Sequence, residues 1–278
     1  MGSNRLAGVL GPIMDLIEGP LIVVDVGAQS LRGERHVYSS LYDLELPLRV
    51  VGFEPLADRA AARRNEENGR DTVIMEAFVG NGEELTFYEN SSSGASSLLP
   101  LDREVCSSFM SLTALRTTGR QQIQTSKLDN LLGDVAAVDF LKLDIQGFEL
   151  NALKGGEAVL ARTAMVQCET EFIPIYTGQP LFAEVELHLR GRGFAFLDFH
   201  RPAYRAPVVP SGRIRNEQLL WADAIFGAQP ATASNRALLA QAIMAIALYR
   251  KLSVGERALA AYDARNGTDL AQTIAALG

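Results

Sequence analysis

Short apolar runs recur along the chain, and each ends on a residue that a strand interior would reject. Leu21-Ile-Val-Val-Asp-Val26 stops at Gly27, and Arg49-Val-Val-Gly-Phe-Glu54 stops at Pro55. Val138-Asp-Phe-Leu-Lys-Leu-Asp-Ile145 runs into Gln146-Gly147. Runs this short and this apolar fit strands buried on both faces, as in a parallel sheet. Between them lie segments of helical spacing: residues 5–17, His36 to Leu44, and Asp58 to Asn68, which Gly69 stops. Strand and helix in alternation make βαβ units, and these confine the chain to an α/β fold with a mostly parallel sheet.

A third strand is expected over Thr72 to Val79, after which the rhythm breaks. Gly80 to Ala137 holds two strand-like stretches, Glu84–Glu89 and Gln121–Thr125, and a serine tract, Ser91 to Ser97, that reads as a mobile loop able to close over a substrate. The sheet resumes at Val138–Ile145 and Met165–Phe172, with a helical segment between them that Gly155-Gly156 interrupts. Phe182 to Leu189 reads as helix, and Phe194–Phe199 and Leu219–Phe226 as strands. Beyond Pro230 the composition shifts to alanine-rich helices. Residues 1–230 are therefore read as one sheet domain and 231–278 as a small helical C-terminal appendage. Its apolar stripe would pack on that domain or on a second copy, making a homo-oligomer.

A net charge of −7 argues against a sequence-independent nucleic-acid binder, which needs a basic surface to replace phosphate counterions. Cys106 and Cys168 fit neither a disulfide framework nor a zinc spacing. Asp15 and Glu18 interrupt any secretory leader, and no run reaches the roughly 18 apolar residues of a membrane span. The expectation is a soluble cytoplasmic protein.

In doubly wound sheets, ligands bind beyond the carboxyl ends of the strands. The first strand here ends Asp25-Val-Gly27-Ala28-Gln29, the second at Glu54, the fourth at Asp144-Ile-Gln146-Gly147, and the next carries Glu169 and Glu171. A glycine directly after a buried strand permits a tight turn and close approach of a ligand. A dinucleotide loop needs G-x-G-x-x-G, and Gln29 stands where a second glycine would be. A pyrophosphate is disfavoured. Glu54 is placed to accept the hydroxyl protons of a ribose, and the acids Asp25, Glu54 and Asp144 suit a cationic cofactor such as S-adenosylmethionine.

These pieces resemble the FkbM-type methyltransferases. The likeness is carried in order by Val24-Asp-Val-Gly-Ala28, Val51-Gly-Phe-Glu-Pro55, Glu83-Glu-Leu-Thr-Phe-Tyr88, Lys127-Leu-Asp-Asn-Leu-Leu132, Asp139-Phe-Leu-Lys-Leu-Asp-Ile-Gln-Gly-Phe-Glu149 and Leu153-Lys-Gly155. Two places depart from the family's usual pattern: Gln29 replaces an asparagine, and Gln146 an acid. The resemblance implies a Rossmann-like, doubly wound, mostly parallel seven-stranded sheet of the class I methyltransferase type. It implies an O-methyltransferase that uses S-adenosylmethionine, releases S-adenosylhomocysteine, and acts on a sugar, glycan or polyketide-type hydroxyl. By the same resemblance Asp25, Gly27 and Ala28, with Gln29 beside them, line the methionine side, Glu54 holds the ribose, and Ala77 and Phe78 lie near the adenine.

Methyl transfer to an alcohol needs a base for its proton. Asp144, paired with Lys142, is expected nearest the methyl, and Glu169 as base or acceptor-orienting group; His200 is the alternative base. Ser96, Gln146, Glu171 and Tyr176 are candidates for the acceptor pocket. Asp144 and Glu169 lack a third oxygen ligand, so no metal is expected. Two rivals remain at this point: an NAD(P)-dependent oxidoreductase on the same fold, and a non-catalytic S-adenosylmethionine-binding scaffold.

Overall fold

Leu21–Val26 (β1) is buried along nearly its whole length, because it lies in the middle of a sheet with helices on both faces. In the computed structural model, which describes residues 3–30, 33, 35–275 and 277, it pairs in parallel with Leu48–Phe53 (β2) on one side and Val138–Leu143 (β7) on the other. Thr72–Met75 (β3) extends the sheet beyond β2, and Thr163–Glu171 (β8) extends it beyond β7. Gln218–Ala228 (β10) and Phe194–Arg205 (β9) complete it as antiparallel strands. The order is β3-β2-β1-β7-β8-β10-β9, the expected Rossmann-like, doubly wound, mostly parallel seven-stranded arrangement. Strand order reverses between β1 and β7, which opens a crevice at their carboxyl ends.

Alternate residues of the central strands feed two cores. Val23, Phe140 and Met165 meet Leu6, Leu10 and Ile13 of the helix Ser3–Met14 (α1) and the C-terminal helix Asn235–Tyr249 (α9). Val24, Leu141 and Val166 face the opposite layer, built from Leu128–Leu131 (α5), Glu149–Lys154 (α6), Glu157–Leu160 (α7) and Phe182–Gly191 (α8). The α6–α7 break falls at Gly155-Gly156, as expected.

α9 is buried over most of its length against β7 and β8, so the apolar stripe of the C-terminal segment is covered by this chain's own sheet. Arg236, in its first turn, pairs with the buried Asp139 of β7 at 2.6 Å. Leu252–Asn266 (α10) then packs on α9, and Ala271–Ala275 (α11) on α10. Residues 276 and 278 of the expected appendage lie outside the described residues.

Three expectations are corrected. The third strand is two: β3 ends at Met75, and Phe78–Val79 (β4) leaves the main sheet. It joins a small sheet with Glu84–Asn90 (β5) and Thr117–Ser126 (β6), where Phe78 packs on Phe87 with ring centroids 5.0 Å apart. The helix expected over His36–Leu44 is only Ser39–Asp43 (α2), because His36 and Tyr38 turn inward toward Asp25. The serine tract, expected as a loop throughout, carries one 3-10 turn at Ser93–Ala95 and is anchored at its far end. Ser97 is buried and its Oγ donates to the Gln146 carbonyl at 2.6 Å, while Asn90 Nδ2 donates to the Ala95 carbonyl at 2.6 Å.

Candidate active site

The loop after β1 and the loop after β7 touch at Gly27. Its φ is +81°, and a Cβ there would lie 1.9 Å from the Asp144 carbonyl oxygen. Only glycine permits this crossing. The Asp144 amide donates to the Val26 carbonyl at 3.0 Å, the last bond of the β1–β7 ladder, so Asp144 sits just past the end of β7 at the crevice.

Beyond these strand ends lies a cavity of about 540 Å³, within the usual range of small-molecule sites. Gly27, Gln29 and Glu54 line it, with Ala77 and Phe78 adding apolar surface. Glu54 is nearly inaccessible: its Oε1 accepts the Leu56 amide at 3.0 Å, and burial raises its pKa. Gln29 is held by Arg59, which donates to its Oε1 at 3.1 Å.

Asp144, Gln146, Glu169, Glu171, Tyr176 and Ser96 form its acidic part, with Asp144 directly against the Gly27 turn. Gln146 organises it. Its Nε2 donates to Asp144 Oδ1 at 3.0 Å and to Glu169 Oε2 at 2.8 Å, so one amide bridges two carboxylates. Tyr176 Oη lies 3.1 Å from Gln146 Oε1 and 2.9 Å from the Ala95 carbonyl, its single proton serving both acceptors. Gln146 has φ +60° and Gly147 follows at +94°. A non-glycine residue in this region stores strain, and here the strain aims the amide between the acids.

The carboxylates crowd one another. Burial pushes the Glu169 pKa well up, and Asp144, Glu171, Glu149 and Asp223 push it further. Glu171 is raised by burial and then by Glu149 and Asp144. Glu149, whose Oε1 accepts the Ile145 amide at 2.7 Å, is raised by burial to about 7. Desolvation and like charges act in the same direction here.

Four of the expected site residues stand behind or away from the cavity wall. Asp25 and Ala28 are fully buried and do not line it. Lys142 was expected to pair with Asp144, but Asp25 is its nearer partner: Nζ is 3.1 Å from Asp25 Oδ1 and 3.7 Å from Asp144 Oδ2. The cause is register, since Asp25 and Lys142 are direct neighbours across β1 and β7. Burial acts to raise the Asp25 pKa, but Lys142, His36 and Tyr38 together hold it below the usual carboxylate value. Burial likewise acts against the Lys142 charge, and Asp25 and Asp144 outweigh it. His200 sits outside the cavity and meets Tyr249 of α9 edge-on, with centroids 5.5 Å apart.

Arg59, Arg201, Arg205, Trp221 and Asp223 also line the cavity and were missed from sequence. Arg205 lies flat over the Trp221 ring at 4.2 Å. The alternation along Leu219-Leu-Trp-Ala-Asp223 was the available signal, since it sets Trp221 and Asp223 on one strand face.

Fold and cavity together define a doubly wound α/β protein with a cavity at its switch point. The chain matches the methyltransferase FkbM domain over residues 25–196, more than half its length, and belongs to that methyltransferase family. It is 25% identical over 185 residues to the 2-O-methyltransferase NoeI of Sinorhizobium fredii, covering 63% of this chain and 74% of that protein. Among solved structures it is similar to a TehB-like SAM-dependent methyltransferase from Corynebacterium glutamicum, at TM-score 0.34 and 9% identity over 81% of this chain and 88% of that one. A putative methyltransferase from Thermoplasma acidophilum gives TM-score 0.36 and 11% identity over 77% and 70%. The family assignment rests on the domain match.

Proposed function

We propose that the chain is an S-adenosylmethionine-dependent O-methyltransferase acting on a hydroxyl of a sugar, glycan or polyketide-type product. The observation that carries the reading is the crowded acidic part of the cavity. Carboxylates with raised pKa values favour a cationic ligand, whose charge would relieve their mutual repulsion. Membership of the FkbM family supports methyl transfer, and the name of the relative, a 2-O-methyltransferase, supports a hydroxyl as acceptor.

When bound, S-adenosylmethionine supplies a methyl group activated by a sulfonium charge. Glu54, at the end of β2, would hold its ribose, the Gly27 turn its methionine side, and Ala77 and Phe78 its adenine. Glu169 would accept the proton of the acceptor hydroxyl. Its raised pKa makes its ionised form a stronger base than an exposed carboxylate. The Gln146 amide fixes Glu169 and Asp144 relative to each other, and Tyr176 keeps that amide from rotating. Positioning of this kind can supply on the order of 7–11 kcal/mol of a barrier in favourable cases.

Calorimetry tests the cofactor. Titration with S-adenosylmethionine or S-adenosylhomocysteine should give saturable heat, and NAD or NADP none. Glu54→Gln should weaken cofactor binding by roughly 1.5–3 kcal/mol, the size of a hydrogen bond to a charged group. Saturable NAD(P) binding without S-adenosylmethionine binding would refute the reading.

A further inference from the structure

Among the large hydrophobic side chains that stand exposed in the described residues, Tyr204, Val208 and Ile214 fall within eleven residues of one hairpin, and Met110 lies on a segment bonded to it. Tyr204 is near the end of β9, and Val208 and Ile214 are in the loop 206–217 that leads to β10. Met110 is tied to that loop, since its amide donates to the Ala206 carbonyl at 3.0 Å and the Val208 amide donates to the Ser108 carbonyl at 2.8 Å. Ile214, at 67% exposure, is the most exposed of them.

The same stretch reverses the chain's charge. Residues 201–217 carry Arg201, Arg205, Arg213 and Arg215 against Glu217 alone, a net of +3 within a chain of −7. Arg201 and Arg205 line the cavity, so this basic, apolar hairpin rises from its rim. Exposed apolar side chains bracketed by arginines, as in Arg213-Ile214-Arg215, are spread along an extended loop rather than sunk in a groove. That pattern suits a fluid interface that is apolar inside and anionic outside.

We propose that the β9–β10 hairpin docks on the surface of an anionic lipid bilayer. Ile214 and Val208 enter the headgroup region, and Arg213 and Arg215 meet the lipid phosphates. Each arginine near such a surface contributes about 1 kcal/mol, or roughly fivefold in partitioning. Docking would set the cavity rim at the membrane, where an acceptor carried by a lipid is reached without leaving the bilayer. The inference concerns a surface outside the proposed chemistry and is read without cofactor or acceptor.

Flotation of the full chain with vesicles tests it. The protein should float with vesicles of phosphatidylcholine mixed with phosphatidylglycerol, stay behind with phosphatidylcholine alone, and release as salt rises. The double variant R213E/R215E should lose roughly 25-fold or more in partitioning. Ile214→Asp should lose binding as well, whereas Leu187→Asp, at an exposed site on α8, should behave as the parent chain. Thermal unfolding of each variant should match the parent, as expected for exposed positions. Equal flotation with neutral and anionic vesicles, or none with either, would overturn the proposal. So would Ile214→Asp dissolving a dimer in sedimentation while vesicle binding stays unchanged, since the hairpin would then serve a second copy.

Discussion

Two buried charge assemblies lie side by side at the switch point, and they are built on opposite rules. Behind the cavity wall, charges alternate. Glu67 pairs with Arg63, Arg63 donates to the Tyr38 hydroxyl at 2.7 Å, Tyr38 donates to Asp25 at 2.8 Å, and Asp25 pairs with Lys142. At the cavity the charges repeat, with Asp144, Glu169 and Glu171 on its lining, the buried Glu149 close by, and a neutral amide between two of them. The pKa directions follow: Asp25 is lowered, while Glu149, Glu169 and Glu171 are raised. A compensated network holds a loop in place. An uncompensated one stays ready to take a proton or meet a cation.

The comparison breaks first at Glu169. Glu169→Gln should cut methyl transfer to a hydroxyl acceptor by about 10²–10⁴-fold, the usual contribution of a general base. Its unfolding free energy should stay level or rise, because a crowded charge is gone. Lys142→Met should do the reverse. It strands Asp25 in the interior and should cost about 3–5 kcal/mol in a urea unfolding series.

The assemblies should also respond to pH in opposite senses. The Glu149 pKa is raised from an ordinary 4.5 to about 7, so the unfolded chain gives up that proton first. Stability should fall as pH rises from 4.5 through about 7, by up to ~3 kcal/mol from this residue, and Glu149→Gln should flatten that slope. Asp25, lowered from 3.8, stabilises the fold above that value, and its share is lost as pH falls through the depressed pKa. Unfolding midpoints measured across this pH range separate the two. The smallest effect is expected at Tyr176→Phe, which frees the Gln146 amide to rotate. It should cost about 1 kcal/mol of stability and raise KM more than it lowers kcat.

The sheet was legible because parallel strands buried on both faces leave a plain record: short apolar runs closed by Gly27, Pro55 or Gly147. Strand ends then pointed to Glu54, Asp144 and Glu169, all of which line the cavity. Pairing across strands was harder to read. Period-two reasoning along one strand joined Lys142 to Asp144, whereas register across β1 and β7 gives it to Asp25, and no single run of sequence encodes that register. Arg205 and Trp221 escaped for a related reason. They come from the antiparallel strands β9 and β10, and Trp221 reaches the cavity because cross-strand register sets it beside Glu171 of β8, with Arg205 over its ring. Gln146 was singled out as an amide in place of an acid, but its bridging role depends on a left-handed backbone that composition does not announce.

A crystal structure with S-adenosylhomocysteine tests the central claim most directly, because that claim separates a reacting assembly from a supporting one. The account expects the ligand in the cavity against Glu54, the Gly27 turn and Phe78, close to Asp144, with Asp25 still covered and paired to Lys142. Ligand density in direct contact with Asp25 and a displaced Lys142, or density away from the Glu54–Asp144 cavity, would contradict it.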